Sequence, residues 1–140
     1  MNSNDEIFKK IQASIQEARE SFKLKEKISN DITEILSMIS AITNNAVSFK
    51  IDENNNSHPA YISCQKIVHI IKAGNPFYGF ILCGYNIDDL TGYPVSIETE
   101  KSIFNCNDDD ALRNVISDLL STKETSMKIV KLISMDDIPF

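Results

Sequence analysis

Two rows of hydrophobic residues repeat at helical spacing along the first 45 positions. Spacings of 3, 4, 3 and 4 residues, typical of a helix that packs against another helix, separate the members of the first row: Phe8, Ile11, Ile15, Ala18 and Phe22. The second row has a similar repeat and consists of Ile28, Ile32, Ile35, Ile39 and Ile42. Residues 1–45 are therefore predicted to form a helical segment.

The two rows are out of phase, because Phe22 and Ile28 are six residues apart where a heptad requires seven. One interpretation is a single long helix with an irregular repeat. The other is two helices, the second of which begins where Asp31 and Glu34 form an N-terminal capping pair. We prefer the prediction of two helical segments.

The hydrophobic stripe of this segment, about 35 residues long, has to be covered. Packing against the sheet of its own domain is the preferred interpretation. The alternative is packing against a second copy of the chain, in a homodimer whose interface is formed by Phe8, Ile11, Ile15 and Phe22.

From Ala46 onward the hydrophobic residues alternate with polar ones, as in a half-buried strand, and Val47, Phe49 and Ile51 begin this pattern. Turn-rich stretches separate four further predicted strands: residues 60–72, 77–85, 93–98 and 102–106. The short links between them predict an antiparallel meander of about five strands.

The predicted strands 60–72 and 77–85 are apolar on both faces. Both faces of the sheet therefore need cover, because an exposed apolar face promotes aggregation. We expect the C-terminal helix to cover one face, and the N-terminal helices or a partner chain to cover the other.

The C-terminal part is predicted to be helical. Asn107 is a good N-cap, and Asp108 to Asp110 place negative charge in the first turn. An apolar stripe suited to packing on the sheet follows: Leu112, Val115, Ile116, Leu119 and Leu120. After it, Ser121 and Glu124 resemble a capping box, whereas residues 127–133 suit either a helix or a strand. We predict a short helix there, which gives an α+β fold.

Length and composition fit one domain, with residues 1–45 as its helical segment and residues 46–140 as its sheet and C-terminal helices. The chain has 140 residues, of which 42% are hydrophobic and 24% charged, so a packed core is expected. No apolar signal segment or membrane span is found, and the three cysteines form no C-x-x-C pair. We therefore expect a cytoplasmic protein with reduced thiols.

The net charge of −6 is concentrated in the second part of the chain. Residues 1–50 balance seven basic against seven acidic residues, whereas residues 51–140 contain seven basic and thirteen acidic ones. Such a surface repels phosphate groups, so direct binding to nucleic acid or to anionic membranes is not expected. A protein partner with a basic surface is the expected alternative.

The chain contains no recognisable catalytic motif. A dyad of His69 with Cys64 or Cys83 is weighed and interpreted as core packing, and His58 is placed in a loop. The acidic clusters, residues 88–89, 108–110 and 136–137, do not match a calcium loop, and helix capping explains the triple aspartate. No catalytic residue, metal or cofactor is predicted.

The most promising exposed stretch is residues 85–93. A partner-binding patch is predicted from aromatic residues flanking acidic ones: Tyr85, Asp88, Asp89 and Tyr93. The alternative is a loop whose Ile87 and Leu90 are buried in the core.

The leading hypothesis is a non-enzymatic, protein-binding protein. It would be an inhibitor, an immunity-type protein or an adaptor that blocks its partner sterically. The alternatives are a small acidic chaperone that holds an extended client, a DNA-mimic inhibitor, and an enzyme of unfamiliar type. Twelve lysines against two arginines are typical of an AT-rich genome, such as many bacteria and phages have.

Overall fold

The computed structural model describes residues 3–55, 59–61 and 63–135. In these residues, a long helix precedes a five-stranded antiparallel sheet, and two shorter helices follow it. The helices are α1 (Ser3–Ile42), α2 (Asp109–Ser121) and α3 (Lys123–Ser134). The strands are β1 (Val47–Glu53), β2 (Lys66–Lys72), β3 (Asn75–Asp88), β4 (Gly92–Glu98) and β5 (Ile103–Cys106). This arrangement confirms the predicted α+β fold.

A single helix replaces the two helical segments predicted at the N-terminus. The 40 residues of α1 contain no glycine or proline, so its backbone hydrogen bonds continue without a break. Asp31 and Glu34 lie inside the helix instead of capping one. The Asp31 carboxylate accepts a hydrogen bond of 2.9 Å from Lys27 Nζ, one turn earlier. The prediction of two segments is therefore wrong.

The two hydrophobic rows of α1 face different directions. Because Phe22 and Ile28 are six residues apart instead of seven, the first row is rotated by about 100° around the helix axis relative to the second. The second row packs on the sheet, where Ile28, Ile32 and Leu36 are fully buried. Every side chain from residue 3 to residue 20 is exposed. We call residues 3–22 the arm.

The strands follow one another in the sheet in the order β1-β2-β3-β4-β5, and each neighbouring pair is antiparallel. The predicted hairpin of residues 93–98 and 102–106 corresponds to β4 and β5. A bulge interrupts the pairing of β2 with β3, because Val68 pairs with Cys83 whereas the next residue, His69, pairs with Ile81. Leu82 is the extra residue, and both Leu82 and Cys83 belong to the main core.

All three helices contribute to one core on one face of the sheet. Its helical members include Ile32 from α1, Ile116 from α2 and Leu132 from α3, and the sheet contributes residues such as Val68 and Ile97. The expectation that N- and C-terminal helices cover opposite faces is wrong. On the opposite face of the sheet, part of the apolar surface is covered by a short stretch of the chain itself.

The local cover comes from the chain between β1 and β2. Residues 59–61 form a short 3-10 helix, and Tyr61 and Cys64 pack with Ile67 and Ile81 in a second, smaller core. The predicted strand 60–72 is therefore too long, since β2 begins at Lys66. The segment crosses the sheet where Gly84 has no side chain to obstruct it.

The C-terminal helices begin with side-chain caps, each one residue from the predicted position. Asp108, not Asn107, caps α2 and accepts a hydrogen bond from the Ala111 amide at 2.8 Å. Thr122, not Ser121, caps α3 and accepts one from the Thr125 amide at 3.1 Å. The prediction of a helix for residues 127–133 is confirmed.

Candidate functional site

The predicted partner-binding patch is divided between the core and the surface. Tyr85 is only 5% exposed and packs in the main core together with Ile87, so its side chain does not reach the surface. Tyr93 is half-buried. The Asp88 carboxylate accepts hydrogen bonds of 2.9 Å from the amides of Leu90 and Thr91, and these bonds lower the pKa of Asp88. Asp88 therefore shapes the turn that follows β3.

The remainder of this loop supports α1. Asp89 forms an ion pair with Lys25, and Ser21 Oγ donates a hydrogen bond of 2.6 Å to the Leu90 carbonyl oxygen. Leu24 packs closely over Gly92. These contacts join positions more than 60 residues apart, which no local pattern in the sequence could reveal. The β3–β4 loop therefore holds α1 against the sheet at the C-terminal end of the arm.

An open apolar groove lies between the three helices, with a volume of about 720 Å³. Its apolar lining includes Ile35, Met38 and Ile42 from α1, Leu120 from α2, and Val130 and Ile133 from α3. Several of these side chains remain accessible: Ile42 is 79% exposed, Val130 54% and Met38 50%. Exposed apolar surface that is gathered in a concave region is typical of a binding site.

A network of ion pairs fixes α1 against α2 at the Arg113 end of the groove. Arg113 lies 3.3 Å from the Asp31 carboxylate through Nη2 and donates a hydrogen bond of 2.9 Å from Nε to Asp109. The bond to Asp109 raises the pKa of Arg113, and the bond to Asp31 raises the pKa of Lys27. Asp31 is buried, so the network connects the core to the groove.

The three cysteines are buried, and His69 lies beside Asp52 on the sheet. Burial raises the pKa of both Cys64 and Cys83 to about 12, which is the opposite of what activates a cysteine nucleophile. His69 Nε2 lies 3.4 Å from the Asp52 carboxylate on the face of the sheet away from the helices. His58, Asp136 and Asp137 lie outside the described residues.

Metal-binding clusters and membrane-spanning helices are both absent from the described part of the chain. Residues 3–55, 59–61 and 63–135 contain no group of three or more His, Cys, Asp or Glu side chains placed to hold a metal ion. Within the same ranges, α1 and the other helices lack the combination of length and apolar composition that crossing a membrane requires.

The structure is that of a small α+β protein with an open apolar groove between its helices. Comparison with protein-family models, with curated proteins and with solved structures finds no match. The properties of the site therefore have to be inferred from its own side chains.

The sequence contained one signal for the groove. Helix α3 is apolar on two sides, since Ile129 and Leu132 turn toward the core whereas Val130 and Ile133 are exposed. A short helix that covers a sheet needs only one apolar side. The second apolar side of α3 is therefore the feature of the sequence that indicated a further contact surface.

Proposed function

We propose that this chain is a non-enzymatic protein-binding protein that holds an amphipathic helix of its partner in the groove between α1, α2 and α3. The observation that carries this proposal is the exposed apolar lining of the groove, especially Ile42, Val130 and Met38. Binding in this way blocks the partner's helix sterically, as an inhibitor or an adaptor does.

The openness of the groove favours a helix over a small molecule. Small-molecule sites enclose most of the surface of their ligand, whereas Met38, Ile42 and Val130 on the walls of this groove are at least half exposed. An amphipathic helix buries only one side and keeps its polar side in water. The groove extends from Ile35 to Ile42 at the end of α1, about 10 Å, which matches two turns of a bound helix.

The charge of the chain favours a basic partner. Arg113, which lines the groove, is paired with Asp31 and Asp109, whereas Glu34 and Asp118 are exposed next to the groove residues Ile35 and Ser117. The net charge of the whole chain is −6. Basic residues that flank the apolar row of a partner helix are attracted to such a rim, which accelerates association and selects the partner. The expected occupant is therefore a basic amphipathic helix.

The alternative functions use other surfaces. A chaperone that holds an extended client was expected to use an apolar sheet face, but Tyr61 and Cys64 cover part of the accessible face. No contact, charge pattern or cavity in the described residues favours a DNA-mimic inhibitor over a protein that holds a helix of its partner. We therefore prefer binding of a partner helix in the groove to the chaperone and DNA-mimic alternatives.

The experiment uses a designed probe, because the natural partner is unidentified. A fluorescently labelled peptide with leucines at positions i, i+3, i+4 and i+7 and lysines elsewhere is titrated with the whole chain, and its anisotropy is recorded. A scrambled peptide of the same composition is the control probe. We expect the patterned peptide to bind and the scrambled one to bind at least tenfold more weakly.

Two variants locate the binding surface. Ile42→Asp places a charge in the groove, whereas Leu90→Asp changes an equally exposed side chain, 79% against 81% exposed, on the distant β3–β4 loop. We expect Ile42→Asp to abolish peptide binding and Leu90→Asp to preserve it. Equal binding by both variants, or indifference to the order of residues in the peptide, would contradict the proposal.

A further inference from the structure

The arm carries an apolar row that its own chain does not cover. Phe8 is 67% exposed, Ile11 54%, Ile15 50% and Phe22 63%. This row points about 100° away, around the helix axis, from the face of α1 that packs on the sheet. The sheet therefore cannot cover the row. We propose that the arms of two copies pair as an antiparallel coiled coil, in which Ile11 of one copy faces Ile15 of the other.

The length and repeat of the arm call for a helical partner. A helix of 20 residues extends for about 30 Å and is only marginally stable in water on its own. Spacings of 3, 4, 3 and 4 residues place the row along one seam, which fits a partner helix with the same repeat. The arm of a second copy has the same repeat because its sequence is identical, and no other protein is needed to supply it.

The sizes of the seam residues favour the antiparallel orientation. Antiparallel pairing centred between residues 11 and 15 places Phe8 of each copy opposite Ala18 of the other, so that a large side chain meets a small one at both ends of the two central isoleucine layers. Phe22 then lies beyond these four layers, opposite Asn4 of the second copy. Parallel pairing places Phe8 opposite Phe8 and Ala18 opposite Ala18. The first layer is then crowded and the second leaves a gap.

The flanking charges favour the same orientation. Asp5, Gln12 and Arg19 flank the seam on one side. In the antiparallel pair this side of one arm faces the same side of the other, so Asp5 meets Arg19 of the second copy, and the two-fold symmetry repeats the contact. In a parallel pair, Arg19 faces the neutral Ser14 instead. Charge complementarity therefore exists only in the antiparallel arrangement.

This orientation also separates the two bodies. Each arm joins its sheet near Leu24, so an antiparallel overlap centred on residue 13 places the two attachment points about 33 Å apart. The groove lies farther along α1, beyond residue 34, and remains open in both copies. Self-association and partner binding therefore use separate surfaces.

Molecular mass in solution tests self-association. Sedimentation velocity over a range of concentrations is expected to show a monomer–dimer equilibrium, and Ile11→Asp is expected to leave only monomer. Phe77→Asp, which changes an exposed side chain on β3 outside the arm, is expected to dimerise like the unchanged protein. Circular dichroism shows whether the body of Ile11→Asp remains folded, which is expected because Ile11 lies outside the core. A monomer at every concentration overturns the proposal.

Charge reversal tests the orientation. Asp5→Arg places two repulsive pairs in an antiparallel dimer and is expected to weaken it about tenfold, whereas the double variant Asp5→Arg with Arg19→Asp restores the affinity. In a parallel dimer neither change has this effect. An unchanged affinity of Asp5→Arg therefore overturns the antiparallel arrangement.

Cross-linking supplies a second readout. Ser14 lies opposite Ser14 of the second copy only in the antiparallel pair, and Ala18 lies opposite Ala18 only in the parallel pair. A short bifunctional thiol reagent, which spans the distance between flanking positions that a disulfide cannot span, is expected to link Ser14→Cys into a covalent dimer and to leave Ala18→Cys unlinked. The unchanged protein, whose described cysteines are all buried, serves as the control. The reverse result overturns the proposal.

Discussion

Gly84 lies directly beneath Cys64 in the second, smaller core. A β-carbon added to Gly84 would be 2.5 Å from Cys64 Sγ and 2.8 Å from Cys64 Cβ, closer than a β-carbon approaches a non-bonded atom in a folded protein. Cys64 also contacts the residue that pairs with Gly84, because its thiol donates a hydrogen bond of 3.1 Å to a carboxylate oxygen of Glu98 on β4. The chain between β1 and β2 therefore depends on a glycine at this position of β3.

Gly84→Ala is expected to lower the free energy of unfolding by about 1–3 kcal/mol, because the added methyl group overpacks the contact. Urea denaturation measures this change. Cys64→Ala in the Gly84→Ala background removes the sulfur atom and is expected to restore part of the loss, whereas Cys64→Ala alone costs stability. Additive effects of the two substitutions would contradict the assignment of the loss to this contact.

Alkaline pH is expected to destabilise the protein through four buried groups. Burial raises the pKa of Cys64 and Cys83 from 9.0 to about 12, and that of Tyr61 and Tyr85 from 10.0 to about 12. Above pH 9 the unfolded chain loses these protons before the folded one does. The stability that the groups contribute is complete below pH 9 and is lost as the pH rises toward 12.

Denaturant unfolding at neutral pH and at pH about 10 measures this loss. Cys83→Ala removes one of the four groups and is expected to reduce the decrease between the two pH values, although it also costs stability at neutral pH through the cavity that it creates. A free energy of unfolding that stays constant up to pH about 11 would show that these groups are not buried as described.

Asp31→Asn is expected to lower the free energy of unfolding by about 1–3 kcal/mol, because it leaves Arg113 without its partner on α1. Arg113→Gln is expected to destabilise as well, and the double variant is expected to lose less than the sum of the single losses. Lys27→Gln is the control, since Lys27 contacts the same carboxylate from the exposed side of the helix and its loss is expected to have little effect. Full additivity would exclude a direct coupling between Asp31 and Arg113.

Local patterns in the sequence predicted much of the fold. The alternation that begins at Val47 and the stripe of Leu112 and Ile116 identified a strand and a helix correctly, because each pattern depends only on whether a side chain faces the core. The caps were displaced by one residue, since Asn107 and Asp108 are both good N-caps and only backbone geometry selects between them.

Long-range relationships were beyond the reach of these patterns. The bulge at Leu82 and the crossing of Cys64 over Gly84 depend on how distant segments pack. The groove depends on the relative placement of three helices, and the phase break after Phe22 gave no indication that α1 would continue as one helix. Tyr85 was predicted to be an exposed residue of the partner-binding patch, but β3 continues through it and turns its side chain into the core.

Gly92→Ala is expected to loosen the attachment of the arm. Gly92 has a φ of +76°, and a β-carbon there would be 2.8 Å from Leu24 Cδ2 and 3.1 Å from Ile28 Cδ1. The substitution therefore combines backbone strain, about 1–3 kcal/mol, with a clash against α1. Gly74→Ala is a matched control, because Gly74 has a similar φ of +81° with no atom within 4 Å of the added β-carbon.

Hydrogen exchange separates the two contributions. Both variants are expected to lose stability from backbone strain, but only Gly92→Ala is expected to accelerate exchange of the α1 amides near Leu24, where Lys25 and Ser21 hold the helix to the β3–β4 loop. Adding Leu24→Ala to Gly92→Ala makes room for the methyl group and should slow that exchange again. If Gly74→Ala accelerates exchange in α1 to the same extent, the close packing of Leu24 on Gly92 does not hold the helix in place.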